Sequence, residues 1–178
     1  MAEHDFIERL RAIATHPAAR GLADDAAVLG NLVLTHDMIV EGVHYLPTDP
    51  PADVAWKLLA VNLSDLAAKG AVPEGVLLGY PLGAADWDAA FVDGLAMALR
   101  HFDVPLLGGD TVSAPEGAPR MIGLTALGRS AYAPDRRHIR ALGVRRSKAV
   151  GCRCESAPTQ VAGSGLVRRA RCRAPPRW

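Results

Sequence analysis

Apolar positions recur with two different periods over roughly the first 130 residues. Phe6, Ile7, Leu10 and Ile13 fall at helical spacing and predict a short amphipathic helix over 5–15. Residues 20–30 are rich in Gly and Asp and lead into an apolar run. Residues 31–40 read as a strand ending near Asp37, and the Pro-rich stretch 47–51 as a loop. Asp53 is placed to cap a helix through Trp56, Leu58, Leu59, Val61 and Leu63 that stops near Gly70. Val76 to Leu82 reads as a strand, and Asp86 as the cap of a helix reaching about His101. Val104 to Leu107 is a short apolar strand running into Gly108-Gly109-Asp110-Thr111, and Met121 to Leu127 is another strand. Strands and helices alternate with loops of ordinary length, which predicts an α/β (α+β) domain. No internal repeat is present.

Past about Asp135 this pattern fails. Arg and Ala dominate and apolar periodicity disappears, so 140–178 is expected to be largely disordered. Charge divides at the same place. Residues 136–178 carry 12 of the 20 Lys and Arg and one acid, Glu155, for a net of +11; residues 1–135 carry a net of −10. All three cysteines, Cys152, Cys154 and Cys172, lie in this tail. Their Cys-x-Cys spacing, with no second pair or His cluster, does not make a structural zinc site. The expected organisation is therefore a domain over 1–134 and a basic tail over 135–178.

Over the whole chain, 49% hydrophobic and 22% charged residues describe a globular protein with a mainly aliphatic core, since aromatics are 5%. No apolar run approaches the roughly 20 residues of a membrane helix, and the N-terminus lacks the basic and apolar regions of a secretory signal. A cytoplasmic location without membrane association is expected. A basic tail could hold nucleic acid by counterion release, but Trp178 is its one aromatic, so stacking on single strands is not expected and a nucleic-acid partner is not favoured.

The candidate chemistry is acidic. Asp24-Asp25 precede an apolar run and are poor neighbours unless a cation neutralises them. Asp37 follows Thr35-His36 at a strand end. Asp65 lies in Asn62-Leu63-Ser64-Asp65 on an otherwise apolar helix, and Asp110 follows two glycines. Each has an ordinary reading. Asp65 could sit on the solvent face, Gly-Gly-Asp could be a tight turn, Asp24-Asp25 could start a turn, and His44 could be a satisfied loop histidine. Together they suggest Mg²⁺, a hard cation that bridges carboxylates to substrate phosphates. No P-loop, dinucleotide fingerprint or nucleophile elbow occurs.

Four segments in order resemble the thiamine-monophosphate kinase pattern: Asp-Asp-Ala-Ala-Val-Leu at 24–29, Thr-His-Asp-Met-Ile-Val-Glu-Gly-Val-His-Tyr at 35–45, the run from Trp56 to Pro73 containing Asn-Leu-Ser-Asp-Leu-Ala-Ala, and Leu-Gly-Gly-Asp-Thr at 107–111. The resemblance covers about 3–134. It implies the N-terminal domain of the aminoimidazole ribonucleotide synthetase-like fold, a superfamily that also holds selenophosphate synthetase. It further implies transfer of the γ-phosphate of ATP to thiamine phosphate, giving thiamine diphosphate, with several Mg²⁺ ions and ATP as co-substrate. The acceptor phosphate is already ionised at neutral pH, so no general base is implied; positioning and charge neutralisation carry the reaction.

By resemblance, Asp25, Asp37, Asp65 and Asp110 match metal ligands, and Thr35 and His36 stand beside the metal. Asp24 supports Asp25, Gly109 and Asp110 contact nucleotide, and His44 touches thiamine phosphate. A homodimer formed through the sheet is also implied. Departures are Ala23 for Gly, His36 for Thr, Tyr45 for Phe and Lys69 for Met. After Arg136 nothing matches: the family's second domain is missing, and neither Arg137 nor Arg140 is a secure match for its nucleotide-contacting Arg. A frameshift or truncation near 130–140 is expected, with little activity from this chain. The alternatives are a non-catalytic binding protein with a basic tail, or a superfamily member acting on another small phosphorylated substrate.

Overall fold

A computed structural model describes residues 2–115 and 117–133. The expectations for the tail, including its disorder, its frame and the roles of Cys152, Cys154, Cys172, Arg137 and Arg140, lie outside the described residues.

The chain begins with helix α1 (Glu3–Arg11) and a 3₁₀ segment, Pro17–Leu22. Strands β1 (Ala26–Leu29) and β2 (Leu32–Val40) follow, then α2 (Pro51–Ala68), β3 (Val72–Leu82), α3 (Ala85–Phe102), β4 (Leu106–Ser113) and β5 (Met121–Arg129). The five strands form one sheet in the order β1-β2-β5-β3-β4. β3 and β4 are parallel, joined by the α3 crossover; every other pair is antiparallel. This is the mixed α/β architecture that the alternation predicts.

Strand periodicity shows which face is covered. Along β2, Val33, Thr35 and Ile39 are buried, and along β5 Ile122, Leu124 and Ala126 are buried. These residues form one core with Val54, Leu58, Leu59 and Leu66 of α2, Val76 and Tyr80 of β3, and Phe91, Leu95 and Ala98 of α3. The alternate positions, among them His36, Met38, Leu77 and Met121, are exposed on the other face.

Several boundaries differ from those expected. α1 ends at Arg11, where the sequence suggests Thr15. β2 runs on to Val40, and β1 pairs with it as a separate strand. Neither Asp53 nor Asp86 is a cap: α2 starts at Pro51, whose fixed φ suits a first turn, and α3 starts at Ala85, so both acids lie within first turns, where the helix dipole favours them. The Asp88 carboxylate instead accepts the Gly83 N–H at 2.8 Å. α2 does stop near Gly70: its last residue is Ala68, Lys69 is its C-cap, and Gly70 takes φ 60°.

Gly108-Gly109-Asp110 is neither turn nor loop. It lies inside β4, in register with Leu77, Leu78 and Gly79 of β3. The pairing shifts between Val76 and Leu77, and Gly109 takes φ 155°. A Cβ there would stand 1.9 Å from the Leu78 carbonyl oxygen, so only glycine fits.

Candidate functional site

Side-chain alternation on β2 and the pitch of α2 bring the carboxylates together. Thr35, buried on β2, donates from Oγ1 to Asp65 Oδ2 at 3.3 Å. One turn earlier on α2, fully buried Asn62 accepts the Asp37 N–H on Oδ1 at 3.3 Å and donates from Nδ2 to the Leu58 carbonyl at 3.0 Å. Asn62 thus ties the polar stretch of α2 to the middle of β2, and Asp65 faces Thr35 on the sheet as well as solvent.

Burial raises the pKa of Asp37; His36 lowers it and Asp25 raises it. Burial likewise raises Asp65, followed by the charges of Asp37 and Asp25, against lowering by the Thr35 hydrogen bond and by Lys69. Asp25, Asp37 and Asp65 are therefore close enough to repel one another. Among the described residues, no three His, Cys, Asp or Glu side chains converge tightly enough to enclose an ion by themselves. Such an all-oxygen, loosely spaced donor set fits Mg²⁺, which binds through one or two carboxylates and takes its other oxygens from water and phosphate.

Asp24 is set apart by its cationic partners. Burial alone would raise its pKa, but hydrogen bonds from Lys69 and Arg20 outweigh burial and hold it below the usual carboxylate range. Lys69 Nζ reaches Oδ1, and Arg20 Nη1 donates to Oδ2 at 2.9 Å. The Asp24 side chain is 1% exposed and that of Lys69 4%. Arg20 also donates to the Ala133 carbonyl at 2.7 Å. The cations beside Asp24 are the protein's own. Nothing in the spacing of Arg20, Asp24 and Lys69 signals the arrangement, because three separate segments bring them together.

His36 borders this group from the neighbouring strand position, and Asp110 lies elsewhere. His36 Nδ1 is 2.8 Å from Thr125 Oγ1, its partner across the β2–β5 ladder. His36 lines two shallow grooves. One, of about 340 Å³, includes Asp24, Asp25, Thr35 and Thr125. The other, of about 250 Å³, includes Met38, Gly79, Asp110, Val112 and Gly123. Asp110 is in register with Gly79, Gly79 with Gly123, and Gly123 with Met38. Three strand spacings therefore separate Asp110 from β2, about 14 Å, too far to share one ion with Asp37. His44 follows β2; its Nδ1 accepts the Val40 N–H at 3.0 Å, and Lys57 donates to its carbonyl. Lys57 and Asp65 are eight residues apart on α2, about 12 Å along the axis, which sets the distance from His44 to the carboxylates. Gly109 adjoins Asp110 on β4.

A polar group missed in the sequence lies at the other end of the sheet. Arg120 packs 4.3 Å over the Trp87 ring and pairs with Asp88 at 3.5 Å and Glu41 at 3.9 Å, and Tyr80 donates to Asp88 at 2.8 Å. It joins the start of α3 to the strand ends, and Arg120 and Glu41 also line a cavity of about 390 Å³.

The domain described as AIR synthase related protein, N-terminal domain, matches residues 23–130. The thiamine-monophosphate kinase of Salmonella typhimurium is 45% identical over 102 residues, 53% of this chain and 31% of that protein. That of Caulobacter vibrioides is 45% identical over 139 residues, 71% of this chain and 38% of that protein. A solved complex, AaThiL with AMPPCP and TMP, superposes with a TM-score of 0.63 at 25% identity over 72% of this chain and 42% of that one. The chain thus spans about a third of the length of these curated relatives. With a match that runs from Ala23 to Ser130 and takes in the whole sheet, the chain belongs to the AIR synthase related family through its N-terminal domain.

Proposed function

We propose that this chain supplies the Mg²⁺- and ATP-binding half of a thiamine-phosphate kinase, transferring the γ-phosphate of ATP to thiamine phosphate. One observation carries the reading: α2 sets Asp65 against Thr35 and Asn62 against the Asp37 N–H, so two half-buried carboxylates are held close together between α2 and β2. Unbalanced negative charge held in place by Thr35 and Asn62 suits a divalent cation. The names of the kinase relatives, and the AMPPCP and TMP bound in the neighbouring complex, support the choice of substrates.

In this reading Asp25, Asp37 and Asp65 hold Mg²⁺, with Thr35 and His36 beside it and Asp24 as support. When bound, Mg²⁺ neutralises the polyphosphate and the charge that builds in transfer. Gly109 and Asp110 meet the nucleotide, and Asp110, set apart by the width of three strands, serves a separate ion. His44, after β2 and bonded through its carbonyl to Lys57 of α2, contacts thiamine phosphate. The acceptor needs no base because its phosphate oxygen is already ionised. The chain's work is to place two anions in line and to balance their charge.

The test is calorimetric titration of the full chain with ATP, with and without Mg²⁺, alongside phosphate transfer to thiamine phosphate and to other small phosphorylated acceptors. Mg²⁺-dependent ATP binding is expected, weakened about tenfold or more in Asp65→Asn, equivalent to about 1.4 kcal/mol. Binding that ignores Mg²⁺, or no binding at millimolar ATP, overturns the nucleotide site. Transfer to a different acceptor overturns the choice of thiamine phosphate.

A further inference from the structure

The fold seals an ammonium group against Asp24, the chain neighbour of Asp25. Lys69 is the residue at which α2 ends; its N–H bonds back to the Leu66 carbonyl at 3.0 Å, and Gly70 turns the chain away. The backbone thus fixes the root of the side chain. The residue is 3% exposed, so burial leaves the side chain little freedom. Its ammonium sits on Asp24 Oδ1, and its charge also acts on Asp65. Asp24 is held on its other oxygen by Arg20, so this carboxylate keeps one cation if Lys69 is removed. Asp25, Asp37 and Asp65 form the repelling group beside it. A buried lysine is costly unless it is offsetting negative charge. One charge pairs with Asp24; the field of the same ammonium reaches the cluster.

We propose that Lys69 is a resident counter-charge for the Asp25–Asp37–Asp65 cluster and sets its affinity for divalent cations. The inference rests on the Mg²⁺ reading given above and assigns a role to a residue at a position where the family resemblance leads one to expect methionine. Without a divalent ion, the ammonium offsets part of the carboxylate repulsion and keeps the metal-free domain together. With the ion bound, two like charges share the region, so the ion binds less tightly than the carboxylates alone would hold it. Lys69 thereby lowers divalent affinity while making the empty site tolerable. It does not ligate the ion and is a positioning residue for charge.

The experiment uses the full chain with Lys69→Met, Lys69→Gln and Lys69→Arg. Mn²⁺ is titrated by electron paramagnetic resonance, and melting is followed in chelator and in saturating Mg²⁺. Both neutral variants are expected to bind Mn²⁺ at least roughly tenfold tighter than the parent, because a buried unit positive charge repels a divalent ion held nearby. Lys69→Arg keeps the charge and stays within about twofold of the parent on the same reasoning. In chelator the neutral variants melt lower, and saturating Mg²⁺ narrows the gap, because an ion that binds them more tightly stabilises them more. A structural role alone would leave that gap unchanged. Equal or weaker Mn²⁺ binding in both neutral variants, or a melting gap that Mg²⁺ does not narrow, overturns the proposal.

If Lys69→Met does not fold, Lys69→Gln, which keeps a polar contact to Asp24, decides. If neither folds in chelator but both fold in Mg²⁺, the proposal stands; if neither folds in either, it is overturned. If no protein in the series binds Mn²⁺, the Mg²⁺ reading fails by itself. The counter-charge is then judged by salt: a chelator gap that narrows as NaCl rises supports it, and a constant gap overturns it.

Discussion

Asp24 and Asp65 are the same residue type near one another, yet they titrate in opposite directions. For Asp24 the hydrogen bonds from Lys69 and Arg20 outweigh burial and hold the carboxyl below the usual carboxylate range, while burial and then Asp37 and Asp25 push Asp65 above it. A carboxylate with a depressed folded pKa stabilises the fold above its unfolded value near 3.8, and that stability is lost as pH falls through the folded value. A raised one does the reverse: its ionisation costs stability as pH climbs from 3.8 through the folded pKa, and the cost remains at neutral pH. In chelator at pH 7, Asp65→Asn is therefore expected to raise Tm by a few degrees, roughly a kilocalorie per mole or less at this size. The gain should vanish at pH 3, where Asp65 is protonated in both states. Asp24→Ala is expected to cost about 3 kcal/mol by chemical denaturation, because it removes the carboxylate that Arg20 and the almost wholly buried Lys69 both bond. A neutral-pH loss in Asp65→Asn would mean that the Thr35 contact outweighs the repulsion. The sequence suggests a cation beside Asp24-Asp25, or a turn; that the partners of Asp24 are Lys69 and Arg20 was not legible, because they stand 45 and 4 residues away on different elements.

At the scale of elements, the strands and helices were legible wherever apolar period and length agreed. α2 reads from Trp56, Leu58, Leu59, Val61 and Leu63, of which Leu58 and Leu59 are fully buried while Trp56 is 40% exposed, and its end reads from Gly70. β1 did not, because four residues of Ala-Ala-Val-Leu are too short for period to show. Gly-Gly-Asp misled for a different reason. Its composition marks a turn, but in β4 the glycines serve close backbone approach, which composition cannot distinguish. This gives a paired test. Gly79 and Gly109 sit on adjacent strands, yet a Cβ at Gly79 would meet nothing nearer than the Gly123 carbonyl oxygen at 3.7 Å, whereas at Gly109 it would stand 1.9 Å from that of Leu78. Gly109→Ala is expected to cost about 3 kcal/mol by forcing β4 off β3, while Gly79→Ala costs less than about 1 kcal/mol. Urea denaturation measures both. Amide exchange should show the Gly109→Ala loss in β4 and in the β3 residues that pair with it. Similar costs at the two positions would mean that β4 shifts register without penalty.

The described residues form a two-sided sheet with α2 and α3 on one side. Alternating elements made the α/β class legible, but period alone could not say that α2 and α3 share a face, because β2 and β5 carry apolar residues on both. Val33, Ile39, Ile122 and Leu124 are buried beneath the helices; Met38, Leu77, Val112 and Met121 are 40–55% exposed on strands of the same sheet. A broad apolar area on a folded domain marks a surface that associates. Isologous pairing of the two open faces would cover these side chains in both copies at once, and the closed symmetry stops the assembly at two. The full chain is therefore expected to run at twice its 18.8 kDa mass by light scattering at micromolar concentration. Met121→Asp is the discriminating variant. Met121 is 53% exposed and pairs with Val40 at the end of the ladder, so an aspartate there costs the isolated domain little. In the dimer the same change would bury two facing carboxylates without partners, a penalty of several kcal/mol that shifts the protein to monomer. The monomeric variant should keep a Tm close to that of the parent extrapolated to low concentration. A monomeric parent, or a variant that stays dimeric, would show that the open face is covered in some other way.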